Sequence, residues 1–284
     1  MQTLAITGGS GFVGTNLIKY FLSLDFDVIK IKREELKDPN RLIAIIEKSD
    51  FVINLAGANI INRWSDSYKK LLYSSRIDTT KALIAAMKVS KNKPKLFIST
   101  SAVGIYNTTN CNDEVNYEYA DDFLAKLCMD WENEALKAKE FGIRTAIFRF
   151  GIVLGGGGAL GKMITPFKLG LGGTIKDGKQ YFPFIQMDDL LEAYRYLFLN
   201  ENLDGIFNLT APNTATNKQL TKSLGKLLNR PTVLPIPEFI LNLIFSEGAK
   251  VLTTGQCVIP KKLLDAKFIF KYPTIQDALK RSLQ

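Results

Sequence analysis

The sequence predicts an α/β fold: a doubly wound parallel sheet covered by helices on both faces, followed by a smaller C-terminal unit. Three observations carry this. Short apolar runs fit for buried strands alternate with helical stretches along the first half of the chain, a rhythm that calls for parallel strands joined by crossover helices. A glycine-punctuated turn, Gly8-x-x-Gly11-x-x-Gly14, joins the first strand to the first helix. A run of four glycines, Gly155 to Gly158, then breaks the rhythm.

The elements follow in order. Leu4-Ala5-Ile6 is the first strand, and Leu17, Ile18, Phe21 and Leu22 recur at helical spacing after the turn. Strand, glycine turn and helix together form a phosphate cradle. Gly8 permits a tight turn, Gly11 lets backbone approach a pyrophosphate, and Gly14 lets the helix pack on the sheet. The phosphate oxygens would rest on unpaired N–H groups at the positive end of the helix. Position and flanks favour a nucleotide site over a plain turn.

Asp27 to Ile31 is the second strand, and it ends on Lys32-Arg33. A dinucleotide site for NAD usually carries an acid here to hold the ribose 2′-hydroxyl, whereas cations suit a 2′-phosphate. The position therefore favours NADP(H), although Glu34 and Glu35 follow directly and a solvated loop is the plain alternative. Leu42 to Glu47 reads as a helix and Phe51 to Leu55 as a strand, ending in the small residues Ala56-Gly57-Ala58. A long helical stretch, Asp66 to Met87 with room for one break, contains Arg76, which either reaches a phosphate or lies on the surface. Arg63-Trp64 before it reads as a lid or a packing pair.

Lys95 to Ser101 is a strand ending in hydroxyls, Phe123 to Lys139 a helix capped by Asp121 or Asp122, and Arg144 to Phe150 another apolar strand. From Gly155 the chain is expected to leave the nucleotide domain (1–155) and build a mainly substrate-facing one (156–284), with segments near 182–210 returning to the first. A strand near Phe182–Gln186, a helix from Asp188 to Asn200 and a strand at Phe207–Leu209 would make that return. Further helices are expected over Lys218–Leu228, Glu238–Phe245 and Ile275–Leu283.

Composition narrows the chemistry. The 284 residues include no histidine, which excludes imidazole bases, Ser-His dyads and histidine-ligated metals. Cys111, Cys128 and Cys257 are scattered without a C-x-x-C pair, pointing to a reducing compartment and no structural metal. No apolar run approaches a membrane span, and the first strand begins almost at Met1, so a cytoplasmic protein without leader or membrane contact is expected. The net charge of +9 is spread among acids with no basic–aromatic groove, which reads as a lysine-rich surface and not a nucleic-acid site.

The motifs as a set resemble the extended short-chain dehydrogenase/reductase group, the NAD(P)-dependent epimerases and dehydratases. Within that group they look most like the atypical branch described as epimerase-family or NADP-dependent oxidoreductases, sometimes labelled cell-division inhibitors. Thr7 to Gly14, Asn54-Leu55-Ala56-Gly57, Arg63-Trp64, Ser75-Arg76, Ser101-Ala102-Val103-Gly104 with Tyr106, Trp131-Glu132, Arg149-x-Gly151-x-Val153-Leu154-Gly155, Asp188-Asp189-Leu190 and Phe268-x-Phe270-x-Tyr272-Pro273 carry the likeness. It implies a Rossmann-like sheet and an NADP(H) cofactor. Gly8, Gly11, Phe12, Val13 and Gly14 would hold the pyrophosphate, and Lys32 and Arg33 the 2′-phosphate. Leu55, Ala56 and Gly57 would line the adenosine, Arg76 would contact the cofactor, and Arg149, Gly151 and Val153 would lie near the nicotinamide. A small-molecule substrate and a homodimer are further implications.

One departure stands out. Family chemistry uses Tyr-x-x-x-Lys, and no tyrosine here has lysine four residues later. Phe123 or Leu124 takes the tyrosine position and Leu127 or Cys128 the lysine position, while Lys126 falls on another helical face. Candidate replacements are Ser101 as hydrogen-bond partner of a carbonyl oxygen, Tyr106 as proton source and Glu114 as a base if burial raises its pKa. Each has a plainer reading: a strand-end cap, a packed aromatic and a solvated loop acid. Two functions follow: an NADP-dependent oxidoreductase or epimerase-like enzyme, or a non-catalytic NADP(H)-binding sensor.

Overall fold

The computed structural model describes residues 2–284. Its first half alternates as expected: β1 (Thr3–Thr7), α1 (Phe12–Leu22), β2 (Asp27–Ile31), α2 (Pro39–Glu47), β3 (Phe51–Asn54), α3 (Asp66–Val89), β4 (Leu96–Ala102), the short β5 (Cys111–Asn112), α4 (Phe123–Leu136) and β6 (Arg144–Phe150). The second half contains β7 (Ile152–Gly155), α5 (Gly158–Lys168), β8 (Phe184–Gln186), α6 (Met187–Leu199), β9 (Gly205–Leu209), α7 (Asn217–Leu228), α8 (Glu238–Phe245), α9 (Lys250–Thr253), β10 (Cys257–Val258), α10 (Lys261–Asp265) and α11 (Ile275–Ser282).

Six strands form one sheet in the order β2-β1-β3-β4-β6-β9, every pair parallel. Alternation along each strand explains the two covered faces. Leu4, Ile6, Phe51, Ile53 and Phe148 pack with Phe21 of α1 and Tyr194 and Phe198 of α6, while Ala5, Val52, Phe97 and Ile147 pack with Leu42 of α2 and Leu83 and Met87 of α3. Both sets being apolar, the strands read as continuous hydrophobic runs.

Local chemistry adjusts some boundaries. α2 begins at Pro39, ahead of the expected Leu42, because the Asp38 carboxylate accepts from the N–H groups of Asn40 and Arg41 and proline suits the first turn. α3 runs unbroken for 24 residues. α4 is capped by Asp122, and its last expected turn tightens into a short helical coil over Lys137–Phe141.

The expected strand near Phe182–Gln186 needs correction. β8 pairs with β7 in a separate two-stranded sheet and stays outside the main one. The chain returns through α6, whose Leu190, Tyr194 and Leu197 join the α1 face, and through β9, which closes the edge against β6. Leu154, Leu160, Phe184, Leu220, Leu224 and Leu279 form the core of the C-terminal unit.

The cysteines also depart from expectation. Cys111 and Cys257, 146 residues apart, form a disulfide, because β5 and β10 pair in parallel with these two residues in register. Only Cys128 is free among the described residues, and it is buried.

Candidate functional site

The carboxyl edge of the sheet collects the residues singled out in the sequence. At its centre is the β1–α1 turn. Gly8 has φ +67°, and a Cβ there would lie 2.7 Å from the Leu55 carbonyl. At Gly14 a Cβ would stand 2.4 Å from the Gly8 oxygen, so only glycine lets the helix start this close to the turn. Gly11 caps α1 without a side-chain bond and no acid occupies the first turn. Its own N–H is bound to Gly8 O at 3.0 Å. The N–H groups of Phe12, Val13 and Gly14 have no protein acceptor among the described residues. Three free donors at a helix N-terminus are what an anion needs. A pyrophosphate fits this cradle.

The four-glycine run has a specific task. A Cβ on Gly158 would come within 2.6 Å of the Phe12 ring, and one on Gly157 within 3.1 Å. The β7–α5 connection therefore closes over the first residue of α1, joining the C-terminal unit to the cradle.

On one side of the turn, Lys32 and Arg33 follow directly on β2, both exposed. Lys32 Nζ lies 3.7 Å from Glu34, and its N–H donates to the Glu35 carboxylate. The two acids thus fold back on Lys32, while the Arg33 side chain has no ion pair among the described residues. On the other side, Leu55, Ala56 and Gly57 leave β3. Leu55 N–H donates to Thr7 Oγ1 at 3.2 Å, and Ala56 N–H to Asn54 Oδ1. Arg76 lies beneath this segment, donating to Ala58 O and Leu72 O at 3.0 Å each, with its guanidinium over the Trp131 ring. Burial lowers its pKa.

A buried polar chain links the three catalytic candidates. Ser101 Oγ donates to Glu132 Oε1 at 2.6 Å. Glu132 receives Arg149 Nε at 2.7 Å and Nη2 at 2.6 Å. Arg149 Nη1 donates to the Tyr106 hydroxyl at 2.7 Å, and that hydroxyl donates to Asn208 Oδ1 at 2.8 Å. Asn208 N–H in turn donates to Glu114 at 2.7 Å, whose other oxygen receives Lys262 N–H at 3.2 Å. Arg149 Nη2 also reaches the Tyr119 hydroxyl at 3.0 Å.

This arrangement refines the expected roles. Arg149 is 1% exposed, and its donors are engaged by Glu132, Tyr106 and Tyr119, so its side chain braces the site. Ser101 and Tyr106 are equally buried, and each hydroxyl proton already has an acceptor. Burial pushes Tyr106 up to about 12, with the Arg149 guanidinium acting in the opposite direction. Glu114 is no solvated loop acid: desolvation raises its pKa, and both its oxygens hold backbone N–H groups. Gly151 N–H bonds Leu209 O at 3.0 Å, and Val153 packs at the margin of the α1 face.

The residues expected at the Tyr-x-x-x-Lys positions serve packing. Phe123 meets Trp64 edge-on at 5.5 Å between ring centroids, and Leu124 joins the same cluster. Leu127 and Cys128 are buried, and burial pushes the Cys128 thiol up to about 11. Lys126 points to solvent, 2.8 Å from Asp121.

Sequence reasoning left Glu132, Asn208 and Tyr119 unassigned, though two of them left a signal. Glu132 follows Cys128 by four residues on the apolar face of α4, and Asn208 interrupts the apolar run Phe207–Leu209. A polar group at a core position demands a partner.

Sheet order, cradle and cation-tipped second strand define a dinucleotide-binding doubly wound α/β protein. Comparison with known proteins makes this specific. Residues 4–210 match the NAD dependent epimerase/dehydratase family, and residues 236–282 match a domain of unknown function (DUF1731). The chain is 36% identical to the chloroplastic "Epimerase family protein SDR39U1 homolog" of Arabidopsis thaliana, over 100% of this chain and 87% of that one. It is 34% identical to "Epimerase family protein YfhF" of Bacillus subtilis, over 98% and 97%. The crystal structure of human epimerase family protein SDR39U1 (isoform 2) with NADPH superposes with a TM-score of 0.90 at 32% identity, covering 99% of each chain. The chain belongs to the NAD dependent epimerase/dehydratase family, in the branch of SDR39U1-type epimerase family proteins, whose wider family binds nicotinamide cofactors.

Proposed function

We propose that the chain is an NADP(H)-dependent, epimerase-like oxidoreductase acting on a small carbonyl or sugar-nucleotide-like substrate. The observation that carries this is the cradle: three free N–H groups at the start of α1, over a turn that admits no side chain at Gly8 or Gly14. In this reading Gly8, Gly11, Phe12, Val13 and Gly14 hold the pyrophosphate, and Lys32 and Arg33 the 2′-phosphate. Leu55, Ala56 and Gly57 line the adenosine with Arg76 supporting them, and Gly151 and Val153 border the nicotinamide end. The human relative's NADPH supports the choice of cofactor. The bound cofactor supplies a hydride donor or acceptor.

Proton handling then falls to this chain's own groups. Ser101 points its proton at Glu132, which suits it to accept a proton from a substrate hydroxyl at Oγ while passing its own inward. Tyr106 and Glu114 position this path through Arg149 and Asn208. A homodimer completes the reading.

A second reading rests on the same burial. Ser101 and Tyr106 have engaged hydroxyls and apolar groups fill the usual relay positions, which favours a non-catalytic NADP(H) sensor. NADPH oxidation against a panel of carbonyl compounds separates the two. Turnover abolished by Ser101→Ala and Tyr106→Phe supports the enzyme. Tight NADPH binding with no turnover on any member supports the sensor.

A further inference from the structure

The C-terminal unit carries an apolar face that nothing among the described residues covers. Helix α8 reads Glu-Phe-Ile-Leu-Asn-Leu-Ile-Phe, and only Leu241 in it is buried. Phe239 is 69% exposed and Leu243 74%. Single exposed apolar residues are ordinary, but a contiguous group marks a contact surface.

Backbone bonds establish the contiguity. Ile236 N–H donates to Thr174 O at 2.7 Å, Lys176 N–H to Ile236 O at 3.1 Å, and Arg230 Nε to Lys168 O at 2.9 Å. The strand-like stretch before α8 therefore runs beside the one after α5, bringing exposed Leu171 alongside exposed Val233 and Leu234. Pro237 leads straight from there into α8.

Charge around the face selects its occupant. Two acids beside the face are neutralised: Glu238 lies 2.9 Å from Lys176, and Glu247 lies 2.5 Å from Lys69. Arg63, Lys168, Arg230 and Lys250 have no carboxylate within 4 Å among the described residues, and all are exposed. Arg63 donates to the Leu243 carbonyl at 2.7 Å, fixing one cation at the end of α8. An apolar helix face rimmed by unpaired cations is the pattern of an interfacial segment. A second copy of the chain fits less well, since two such faces would press like charges together.

We propose that this face docks peripherally on an anionic lipid surface. α8 lies along the headgroup boundary, inserts Phe239, Leu243 and Ile244, and sets the surrounding cations against the headgroups. No helix among the described residues is long and apolar enough to cross a membrane, so the contact is reversible and surface-bound.

The test is co-sedimentation of the full chain with vesicles of phosphatidylcholine alone or mixed with phosphatidylglycerol. Binding is expected to the mixed vesicles only, falling as salt is raised. The double substitution Phe239→Ser with Leu243→Ser should lower partitioning at least tenfold, and Lys168→Gln with Lys250→Gln severalfold. Thermal midpoint and NADPH affinity should not change in either variant, which separates lost docking from lost folding. Absence of binding, equal binding of the apolar variant, or a concentration-dependent dimer dissolved by the same substitutions would overturn the proposal.

Discussion

Arg149 and Glu132 form a two-point ion pair inside the protein, Nε to Oε1 at 2.7 Å and Nη2 to Oε2 at 2.6 Å. Burial alone would lower the pKa of the arginine, but its bonds to Glu132 outweigh this and raise it. The pair ties the end of β6 to α4 and orients Ser101 and Tyr106 from opposite sides.

Removing one partner exposes the cost of the buried charge. Glu132→Ala should destabilise the protein by about 3–5 kcal/mol, the usual loss when a buried ion is left unpaired. Urea denaturation measures it, and a loss under about 1 kcal/mol would show that Arg149 finds another counter-charge.

The proposed 2′-phosphate contact lies just after β2. Arg33→Ala should weaken NADPH binding by about 1–3 kcal/mol, the range for a charge-assisted hydrogen bond, and leave NADH binding nearly unchanged. Equal losses for the two dinucleotides would rule out a 2′-phosphate contact.

The cradle tolerates no side chain at Gly14, where a Cβ would stand 2.4 Å from the Gly8 oxygen. Gly14→Ala should force the helix off the turn, costing about 1–3 kcal/mol in stability and lowering affinity for both dinucleotides together. Gly161→Ala is the control, since its Cβ meets nothing within 4 Å.

Alkaline stability should report on Tyr106. Burial raises its pKa to about 12 in the folded protein, against 10.0 for the model phenol. The unfolded chain therefore ionises first, and the stabilisation, complete below about pH 10, fades as pH rises through about 12. The slope attributable to one proton is about 1.4 kcal/mol per pH unit. Tyr106→Phe should flatten that part of the curve, and an unchanged profile would place the titration elsewhere.

The Cys111–Cys257 bond closes a loop of 146 residues. Reduction, or Cys257→Ser, should lower stability by about 2–5 kcal/mol, chiefly by loosening the unfolded chain. Reductant should then have no further effect on the serine variant.

Much of the sheet was legible because apolar strands and glycine turns are local signals. Leu4-Ala5-Ile6 and Phe51–Leu55 announced β1 and β3, and Gly8 to Gly14 announced the cradle between strand and helix. What escaped were pairings over distance. Ser101 stands opposite Arg149, and Arg149 opposite Asn208, only once β4, β6 and β9 are in register. Cys111 and Cys257 meet for the same reason. The two apolar residues of β8, Phe184 and Ile185, could not show which strand they would join, and they pair with β7. The motif around Arg149 is local, but its ion pair with Glu132 on α4 depends on packing between β6 and that helix.

The central claim is that the carboxyl edge of this sheet holds a phosphorylated nicotinamide dinucleotide. Calorimetric titration of the purified full-length chain tests it most directly. One NADPH per chain is expected, bound more tightly than NADH. Absence of binding heat with either dinucleotide, at temperatures chosen so that the enthalpy cannot vanish at both, would contradict the account.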